Sequence, residues 1–289
     1  MTHAHPFFLA QVIVFGLVCV FVVATARADE TPRRIVSVGG AITEIVFALG
    51  EEDRLVARDT TSNFPAAARD LPDVGYIRRL SPEGVLSVNP ELIIAQEGAG
   101  PPEAVDILRE AAIELVEIPE GYTGEAVIAK ITAVAEALGV PEKGAALAAS
   151  IRRDLDETTA ANLGAEQKRV LFILSMSGGR VLAGGANTSA QGIIELAGAR
   201  NAATGFEGYK PMTDEAIIDS GADVILLMDR TGDTGVTDDQ LFTHPAISAT
   251  PAGLNRAVIR MDGMKMLGFS VRTAAAANDL AQALRNTGS

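Results

Sequence analysis

The sequence predicts an α/β protein with two Rossmann-like α/β lobes, joined by one long helix, and a ligand site in the cleft between the lobes. Short apolar strand patterns alternate with helical patterns in both halves, which is typical of α/β units with mostly parallel sheets. A helix–turn–strand pattern at residues 83–94 recurs without gaps at 215–226. Between the halves lies a long run of helix-forming residues, which predicts a stiff connector and not a flexible linker.

The first half opens with an apolar run that a pair of glycines interrupts, and a helical pattern follows. That helix is expected to end at Gly50, since glycine commonly follows the last helical residue. We place the N-terminal lobe at residues 29–123. Its predicted elements are strands at 34–38, 55–57 and 92–95 and a helix at 41–49.

The second half repeats this order of strand, glycine pair and helix. Gly178-Gly179 and Gly184-Gly185 break the chain, and Gly198 closes the helix. We place the C-terminal lobe at residues 164–289. Its predicted elements are strands at 168–174 and 224–228 and a helix at 189–196.

The connector covers residues 124–163 and carries Ala, Leu, Ile, Glu and Arg at helical spacing. The pattern is interrupted at Gly139-Val140-Pro141, and proline suits the first turn of a new helix. Residues from Pro141 to about Leu163 therefore predict one long helix. Stiff lobes on either side of such a helix would leave a concave ligand site between them.

The N-terminus predicts export. Residues 7–24 are almost wholly apolar and lead to Ala26-Arg27-Ala28, a small-x-small cleavage pattern. We therefore expect a signal peptide at residues 1–28, cleavage after Ala28 and a periplasmic mature protein. The apolar run is also near the length of a membrane anchor, and Cys19 leaves a lipoprotein as a weaker alternative.

Composition excludes several classes of function. The formal net charge is −13, and an acidic chain repels phosphate backbones, so we expect no nucleic-acid partner. Beyond residue 28 the chain has no cysteine and a single histidine, His244. Disulfides, cysteine nucleophiles and multi-histidine metal sites are therefore excluded. With neither a nucleophile elbow nor a phosphate-binding loop in the sequence, we expect a monomeric binding protein and not an enzyme.

Several segments of the mature chain carry a resemblance to a known family. They are 34–37 with Thr43-Glu44, 71–76 with 80–83, 208–211, and 266–269 with Arg272-Thr273. In these segments the chain resembles the periplasmic binding proteins of haem ABC importers, within the wider class that binds cobalamin and iron-siderophores. The segment that ends in Gly75-Tyr76 and the Leu-Gly-Phe segment at 267 are more specific to the haem branch.

The resemblance implies that Tyr76 supplies the axial oxygen to the iron of ferric haem b. Tyrosinate is a recognised haem ligand, although a free phenol ionises only near pH ~10. The iron itself, with a nearby cation, favours the ionised form. In an extended segment Arg78 would face the same side as Tyr76, where it could hold a haem propionate. Arg79 is expected in solvent.

On the second lobe, the resemblance implies contacts near the iron from the residues that follow the strand at 224–228. Arg230 is the candidate there. Some relatives carry a histidine after the strand at 170–174, where this chain has Ser175-Met176-Ser177, so a second haem held by that histidine is in doubt. Met176 and Tyr209 are possible contacts to the porphyrin face, although packing is the commoner fate of a methionine.

Two glutamates occupy matched positions in the repeat, Glu83 and Glu215, each at a predicted helix start. In the class that the chain resembles, one glutamate per lobe docks on the ABC transporter permease dimer, and an outer-membrane receptor system can lie upstream. Glutamates at helix starts also favour the helix dipole, and both roles can hold together. For the ligand, cobalamin or a ferric siderophore remains the alternative to haem.

Overall fold

The computed structural model describes Met1 and residues 31–162, 167–229 and 235–287. The chain from Thr31 onward forms one compact unit with two β-sheets. We call the part around the four-stranded sheet the N-lobe and the part around the six-stranded sheet the C-lobe. The predicted cleavage site at Ala28, the alternative lipid anchor at Cys19 and Arg230 lie outside the described residues.

The strands and helices follow one another in α/β order. The N-lobe and connector contain β1 (Ile35–Val38), α1 (Gly40–Ala48), β2 (Leu55–Arg58), α2 (Pro82–Leu86), β3 (Leu92–Gln96), α3 (Pro102–Glu110), β4 (Glu114–Ile118), α4 (Gly124–Ala137) and α5 (Pro141–Asn162). The C-lobe contains β5 (Arg169–Ser177), β6 (Arg180–Gly184), α6 (Ser189–Leu196), β7 (Arg200–Asn201), β8 (Tyr209–Met212), α7 (Asp214–Ser220), β9 (Val224–Asp229), α8 (Asp238–Phe242), α9 (Pro245–Ser248), α10 (Pro251–Leu254), β10 (Val258–Asp262), α11 (Gly263–Leu267) and α12 (Thr273–Asn286).

The N-lobe sheet is wholly parallel, in the order β2-β1-β3-β4. Alternate residues of β1 belong to two different apolar clusters, so the strand is buried on both faces. Burial on both faces explains why it reads as a continuous apolar run. The predicted strands and helix of this half are confirmed. Strand β4 was not predicted, because it lies at the sheet edge and only Ile118 is fully buried.

The C-lobe sheet is mixed, in the order β10-β9-β5-β6-β8, with β7 paired to β5. The prediction of mostly parallel strands is confirmed for β10, β9, β5 and β7, whereas β6 pairs antiparallel with both of its neighbours, β5 and β8. The reason is the turn at Gly178 and Gly179, whose φ angles are 57° and 76°. Two consecutive residues of positive φ form the hairpin turn that suits the twist of antiparallel strands.

The internal repeat is confirmed as two helix–turn–strand units. In each unit a hydroxyl caps the helix: Ser81 Oγ accepts from Gly84 N, and Thr213 Oγ1 accepts from Ala216 N, both at 3.2 Å. The aligned residues Asn89 and Gly221 then both adopt left-handed backbone, with φ of 48° and 51°. Asparagine and glycine are the residues that enter this region most readily.

The connector is a helical hairpin whose second helix, α5, has 22 residues. Gly139, at φ 71°, separates it from α4. The predicted long helix from Pro141 is confirmed as far as Asn162, and Leu163 lies outside the described residues. One apolar cluster runs continuously from β1 of the N-lobe through both connector helices to β5 and β9 of the C-lobe. A shared core of this kind resists relative motion of the lobes.

Candidate functional site

A cleft of about 470 Å³ lies between the two sheets, at the carboxyl ends of their strands. Gly39 follows β1, Gln96 ends β3, and Asp229 and Asp262 end the paired strands β9 and β10. Ligands of open α/β sheets bind at this edge. The cleft therefore has the position that the sequence predicts for the ligand site.

A larger cavity, of about 580 Å³, lies where α5, α6 and β7 meet. Apart from Leu196, its described lining is made of small and polar residues, among them Asn162, Gln191 and Arg200, and contains no aromatic ring. Ligand pockets are usually lined by apolar and aromatic side chains with a few directed polar groups. That description fits the interlobe cleft better, in spite of its smaller volume.

All three tyrosines of the chain line the interlobe cleft. Tyr76 comes from the N-lobe, Tyr122 from the loop that leads into the connector, and Tyr209 from β8 of the C-lobe. Aromatic residues make up only 4% of the chain, so their meeting in one cleft is a marked concentration. It gives the cleft phenol oxygens from both lobes.

Tyr76 is the most accessible of the three, with 43% of its surface exposed. The preceding residue, Gly75, has φ 102°, a conformation that side-chain-bearing residues rarely adopt. Among the described residues, none forms a hydrogen bond with the Tyr76 hydroxyl, whereas its carbonyl accepts from Arg79 N at 2.7 Å. The phenol oxygen of Tyr76 is thus available to a ligand.

Arg78 lines the same cleft as Tyr76, and Arg79 is exposed outside it. The expected reason was wrong, because residues 76–79 form a turn and not an extended strand, and the intervening Ile77 also reaches the cleft. Arg78 donates a hydrogen bond to Gly98 O across the loop. This contact fixes one end of the guanidinium and leaves its remaining N–H groups for a partner in the cleft.

Tyr209 closes the cleft from the C-lobe. Its hydroxyl lies 3.0 Å from Ser189 Oγ, at the start of α6, and its ring packs edge-on against Phe172 with centroids 6.2 Å apart. Burial raises the pKa of the Tyr209 phenol, and the hydrogen bond from Ser189 opposes that shift in part. Tyr209 is therefore both a packing residue and part of the cleft wall.

Met176 does not reach the cleft, which corrects the expectation of a porphyrin contact there. Strand β5 carries a bulge at Leu174, between Ile173 and Ser175 in the pairing with β6. The extra residue reverses the alternation of side chains, so Leu174 lines the cleft while Met176 joins the cluster on the other face. Met176 there borders a small cavity with His244, whose Nε2 lies 2.8 Å from Gly179 O.

The methionines of the cleft are instead Met228, near the end of β9, and Met264 of α11. Together with Leu174 and Leu267 they give the C-lobe wall an apolar surface. Met228 ends the predicted strand at 224–228. That position indicates a cleft residue, because the ends of parallel strands share one sheet edge. Arg230, the predicted polar contact two residues further on, lies outside the described residues.

Tyr122 is a cleft residue that no sequence motif identifies. Its ring packs edge-on against Phe269 of the C-lobe, with centroids 5.5 Å apart. Nearby Glu120 also lines the cleft and pairs with the fully buried Lys130 at 3.0 Å, while its Oε2 is buried without a hydrogen-bond partner among the described residues. Burial, and then the charge of Glu120, raise the pKa of the Tyr122 phenol.

Glu83 and Glu215 are both exposed and each is the second residue of its helix, α2 and α7 respectively. A hydrogen bond from its own backbone N–H, and then one from Ser81 Oγ, lower the pKa of the Glu83 carboxyl. Neither forms an ion pair with another described residue. Both carboxylates are therefore accessible to an external cation.

No group of three or more His, Cys, Asp or Glu side chains within the described ranges is placed to hold a bare metal ion. Over the same part of the chain, none of the helices has the length and apolar character needed to cross a membrane.

The fold is similar to that of solved haem-binding proteins. The periplasmic haem-binding protein BhuT, in complex with two haems, is 40% identical, with 88% of this chain and 98% of that one covered and a TM-score of 0.83. The periplasmic haem-binding protein RhuT from Roseiflexus sp. RS-1, in its apo form, is 36% identical, with 89% and 99% covered and a TM-score of 0.84. These likenesses confirm the predicted fold class and the resemblance.

Curated relatives match over a shorter length. The ABC transporter substrate-binding lipoprotein YvrC of Bacillus subtilis is 28% identical over 204 residues, which cover 69% of this chain and 65% of YvrC. The vitamin B12-binding protein of Vibrio parahaemolyticus is 26% identical over 155 residues, or 54% of this chain and 56% of that protein. The matches thus span between about half and two thirds of these relatives.

The sequence also matches a protein family over most of its length, from residue 35 to residue 264. That range begins at β1 and ends in α11, so it includes both sheets and all the described cleft residues except Leu267 and Gly268. The family consists of binding proteins, which confirms the expectation that the chain is not an enzyme. The chain belongs to the periplasmic binding protein family.

Proposed function

We propose that the protein binds ferric haem b in the periplasm and delivers it to a membrane ABC transporter, with Tyr76 as the iron ligand. One observation carries this proposal: the three tyrosines and Arg78 share a single interlobe cleft, in which the Tyr76 phenol is the most accessible. The likeness to BhuT and RhuT, which are named as haem-binding proteins, supports the choice of ligand.

The chemistry of the N-lobe wall suits a ferric tetrapyrrole. A phenolate is a hard anionic ligand, and ferric iron favours the ionised form of the phenol that binds it. Arg78 supplies a positive charge and a planar set of donors on the same wall, which suits a propionate. Tyr76 would thus bind the iron, and Arg78 would bind a propionate of the same haem.

The C-lobe wall suits the porphyrin face. Leu174, Met228 and Leu267 present apolar side chains, and Tyr209 adds a ring whose hydroxyl already has a partner in Ser189. Arg230 remains our candidate for a further polar contact near the iron. The histidine that would hold a second haem in some relatives is replaced by Ser175-Met176-Ser177, so we propose one haem held by Tyr76.

The test compares the visible spectrum and haem affinity of the wild type with those of three variants, each of which lacks one tyrosine hydroxyl. Tyr76→Phe removes the proposed ligand oxygen while its ring remains, and should abolish the five-coordinate ferric tyrosinate spectrum. Tyr122→Phe and Tyr209→Phe are matched controls from the same cleft and should preserve that spectrum. A Tyr76→Phe protein with the wild-type spectrum would contradict the assignment.

We propose in addition that Glu83 and Glu215 dock the two lobes on the two subunits of a permease dimer. Their matched helix positions and exposure support this role, because a two-fold partner needs one equivalent contact from each lobe. Glu83→Ala and Glu215→Ala should lower stimulation of the transporter's ATPase while haem affinity stays unchanged. Unaltered stimulation by the double variant would refute docking through these residues.

Cobalamin is the second candidate, and the carboxylates of the cleft are the observation that favours it. Glu120, Asp229 and Asp262 line the cleft as hydrogen-bond acceptors, which would suit a ligand rich in amide N–H groups. Titration with cyanocobalamin and with a ferric siderophore, side by side with haemin, separates the candidates. Tighter binding of either than of haem would replace our proposal.

A further inference from the structure

The loop that carries Tyr76 is fixed along the end of strand β2 by backbone hydrogen bonds. Arg58 N donates to Pro72 O at 2.9 Å, and Val74 N donates back to Arg58 O at 3.0 Å. One residue pair further on, Thr60 N donates to Gly75 O at 2.9 Å. The chain therefore reaches Tyr76 along a short parallel ladder and not as a loose loop.

The side-chain carboxylate of Asp73 also binds to this ladder. Its Oδ2 accepts from Arg58 Nη1 at 2.6 Å, and its Oδ1 accepts from Gly75 N at 2.8 Å and from Thr60 Oγ1 at 3.1 Å. The Arg58 side chain is only 13% exposed and also donates to Asp59 O at 3.1 Å, so this partner is itself held in place. Hydrogen bonds of this charged kind are about twice as strong as neutral ones.

We propose that Asp73 is the positioning residue of the ligand site, an inference that rests on the proposed role of Tyr76. Its carboxylate holds the amide of Gly75, and the φ of 102° at Gly75 sets the direction in which the next residue leaves the ladder. Asp73 does not line the cleft, so it acts through Tyr76 and not on the ligand.

The loop is held on the far side of Tyr76 as well. Arg79 N donates to Tyr76 O at 2.7 Å, and Gly100 N donates to Ile77 O at 2.9 Å. Those contacts use the backbone alone. A substitution can therefore remove the side-chain contacts of Asp73 while the ladder and the turn remain. The loop's other side-chain contact, from Arg78 to Gly98 O, belongs to a residue that itself lines the cleft.

Asp73→Ala should weaken haem binding by about 10- to 100-fold, since hydrogen bonds to charged groups contribute a corresponding free energy. The spectrum of the bound haem should also lose intensity in its tyrosinate-to-iron charge-transfer band, because the phenolate no longer has one fixed orientation. Asp73→Asn keeps an oxygen that accepts from Gly75 N and Thr60 Oγ1, and should restore most of both signals. A purely structural role would lower stability and leave the spectrum of the bound haem unchanged.

The control variant is Asp106→Ala, which removes an exposed carboxylate that pairs with Arg109 at 2.8 Å on α3, outside the cleft. It should behave as wild type. If Asp73→Ala does not fold, Arg58→Met removes the ion pair of Asp73, as Asp73→Asn does, and should reduce affinity several-fold with a smaller loss of band intensity than Asp73→Ala.

The outcomes separate the two proposals. A wild-type protein without a tyrosinate spectrum on haem addition would overturn the proposed function itself. A wild-type protein with that spectrum, and Asp73→Ala or Arg58→Met variants that match it in both affinity and band intensity, would overturn only the role of Asp73.

Discussion

The two walls of the cleft differ in how their side chains are held. On the N-lobe wall, Tyr76 and Arg78 sit in a loop that hydrogen bonds fix on both sides, and each presents a polar group to the cleft. On the C-lobe wall, Leu174, Met228 and Leu267 are partly buried and pack on the core that both lobes share. One wall is ordered by directional bonds and the other by apolar packing.

This difference separates two parts of ligand recognition. Directional groups at fixed positions select a ligand by its chemistry, because a ligand without matching groups leaves them unsatisfied. Apolar side chains select mainly by shape and area, and tolerate a change of one residue for another of similar volume. We therefore expect substitutions on the N-lobe wall to change which ligand binds, and substitutions on the C-lobe wall to change how tightly it binds.

The largest expected effect comes from the contact that joins the two lobes. Glu44 of α1, 3% exposed, accepts hydrogen bonds from Ser270 and from both Nε (2.9 Å) and Nη2 of Arg272, whose guanidinium also stacks 4.0 Å from the Phe64 ring centre. Glu44→Ala leaves that guanidinium without its partner, which should lower the free energy of unfolding by about 3–5 kcal/mol. Urea unfolding measures the loss.

The comparison for Glu44→Ala is Asp106→Ala, which removes an exposed ion pair and should cost less than about 1 kcal/mol. If both variants unfold at the same urea concentration, the pair between Glu44 and Arg272 does not hold the two walls together.

A smaller effect is expected from the apolar wall. Met228→Ala removes a side chain whose burial against the ligand is worth about 1.5–3 kcal/mol, so haem affinity should fall by about 10- to 100-fold. The spectrum of the bound haem should not change, because Met228 is not a ligand of the iron. Met176→Ala makes the same substitution outside the cleft and should leave the affinity unchanged. Equal losses for both would mean that the cleft is assigned to the wrong face of β5.

The smallest expected effect is the pH dependence from Tyr122 and Tyr209, whose phenol pKa values burial raises. Since the unfolded chain ionises its tyrosines near pH ~10, their contribution to stability is fully present below that pH and is lost as the pH rises through the folded pKa values. Tyr209→Phe should flatten this alkaline loss. Unfolding free energies measured across the alkaline range check it, and an equally steep loss in the variant would contradict it.

Local pattern was sufficient for most of the fold. Strands such as β1 and β3 are buried on both faces, so a short apolar run identifies them, and helix α6 was predicted from Ser189 to Leu196 as observed. The antiparallel β6 and β8 were not foreseen, because their direction depends on the hairpin turn at Gly178-Gly179. The sequence shows those glycines but not the sign of their φ angles.

The site was less predictable, because it depends on contacts between distant parts of the chain. A single bulge at Leu174 moves Met176 out of the cleft, and no periodicity signals that extra residue. In the cleft, the ring of Tyr122 packs against Phe269, which is 147 positions away in sequence. Arg78 lines the cleft as predicted. It does so because residues 76–79 form a turn, and not because side chains alternate along an extended strand.

The concentration of tyrosines has an optical consequence. The chain contains no tryptophan, so its ultraviolet emission arises from Tyr76, Tyr122 and Tyr209, all of which line the cleft. The tyrosine fluorophores of the native protein therefore all lie at the ligand site. An absorbing ligand in the cleft would quench this emission by energy transfer. Occupancy of the cleft can thus be followed in the unlabelled protein.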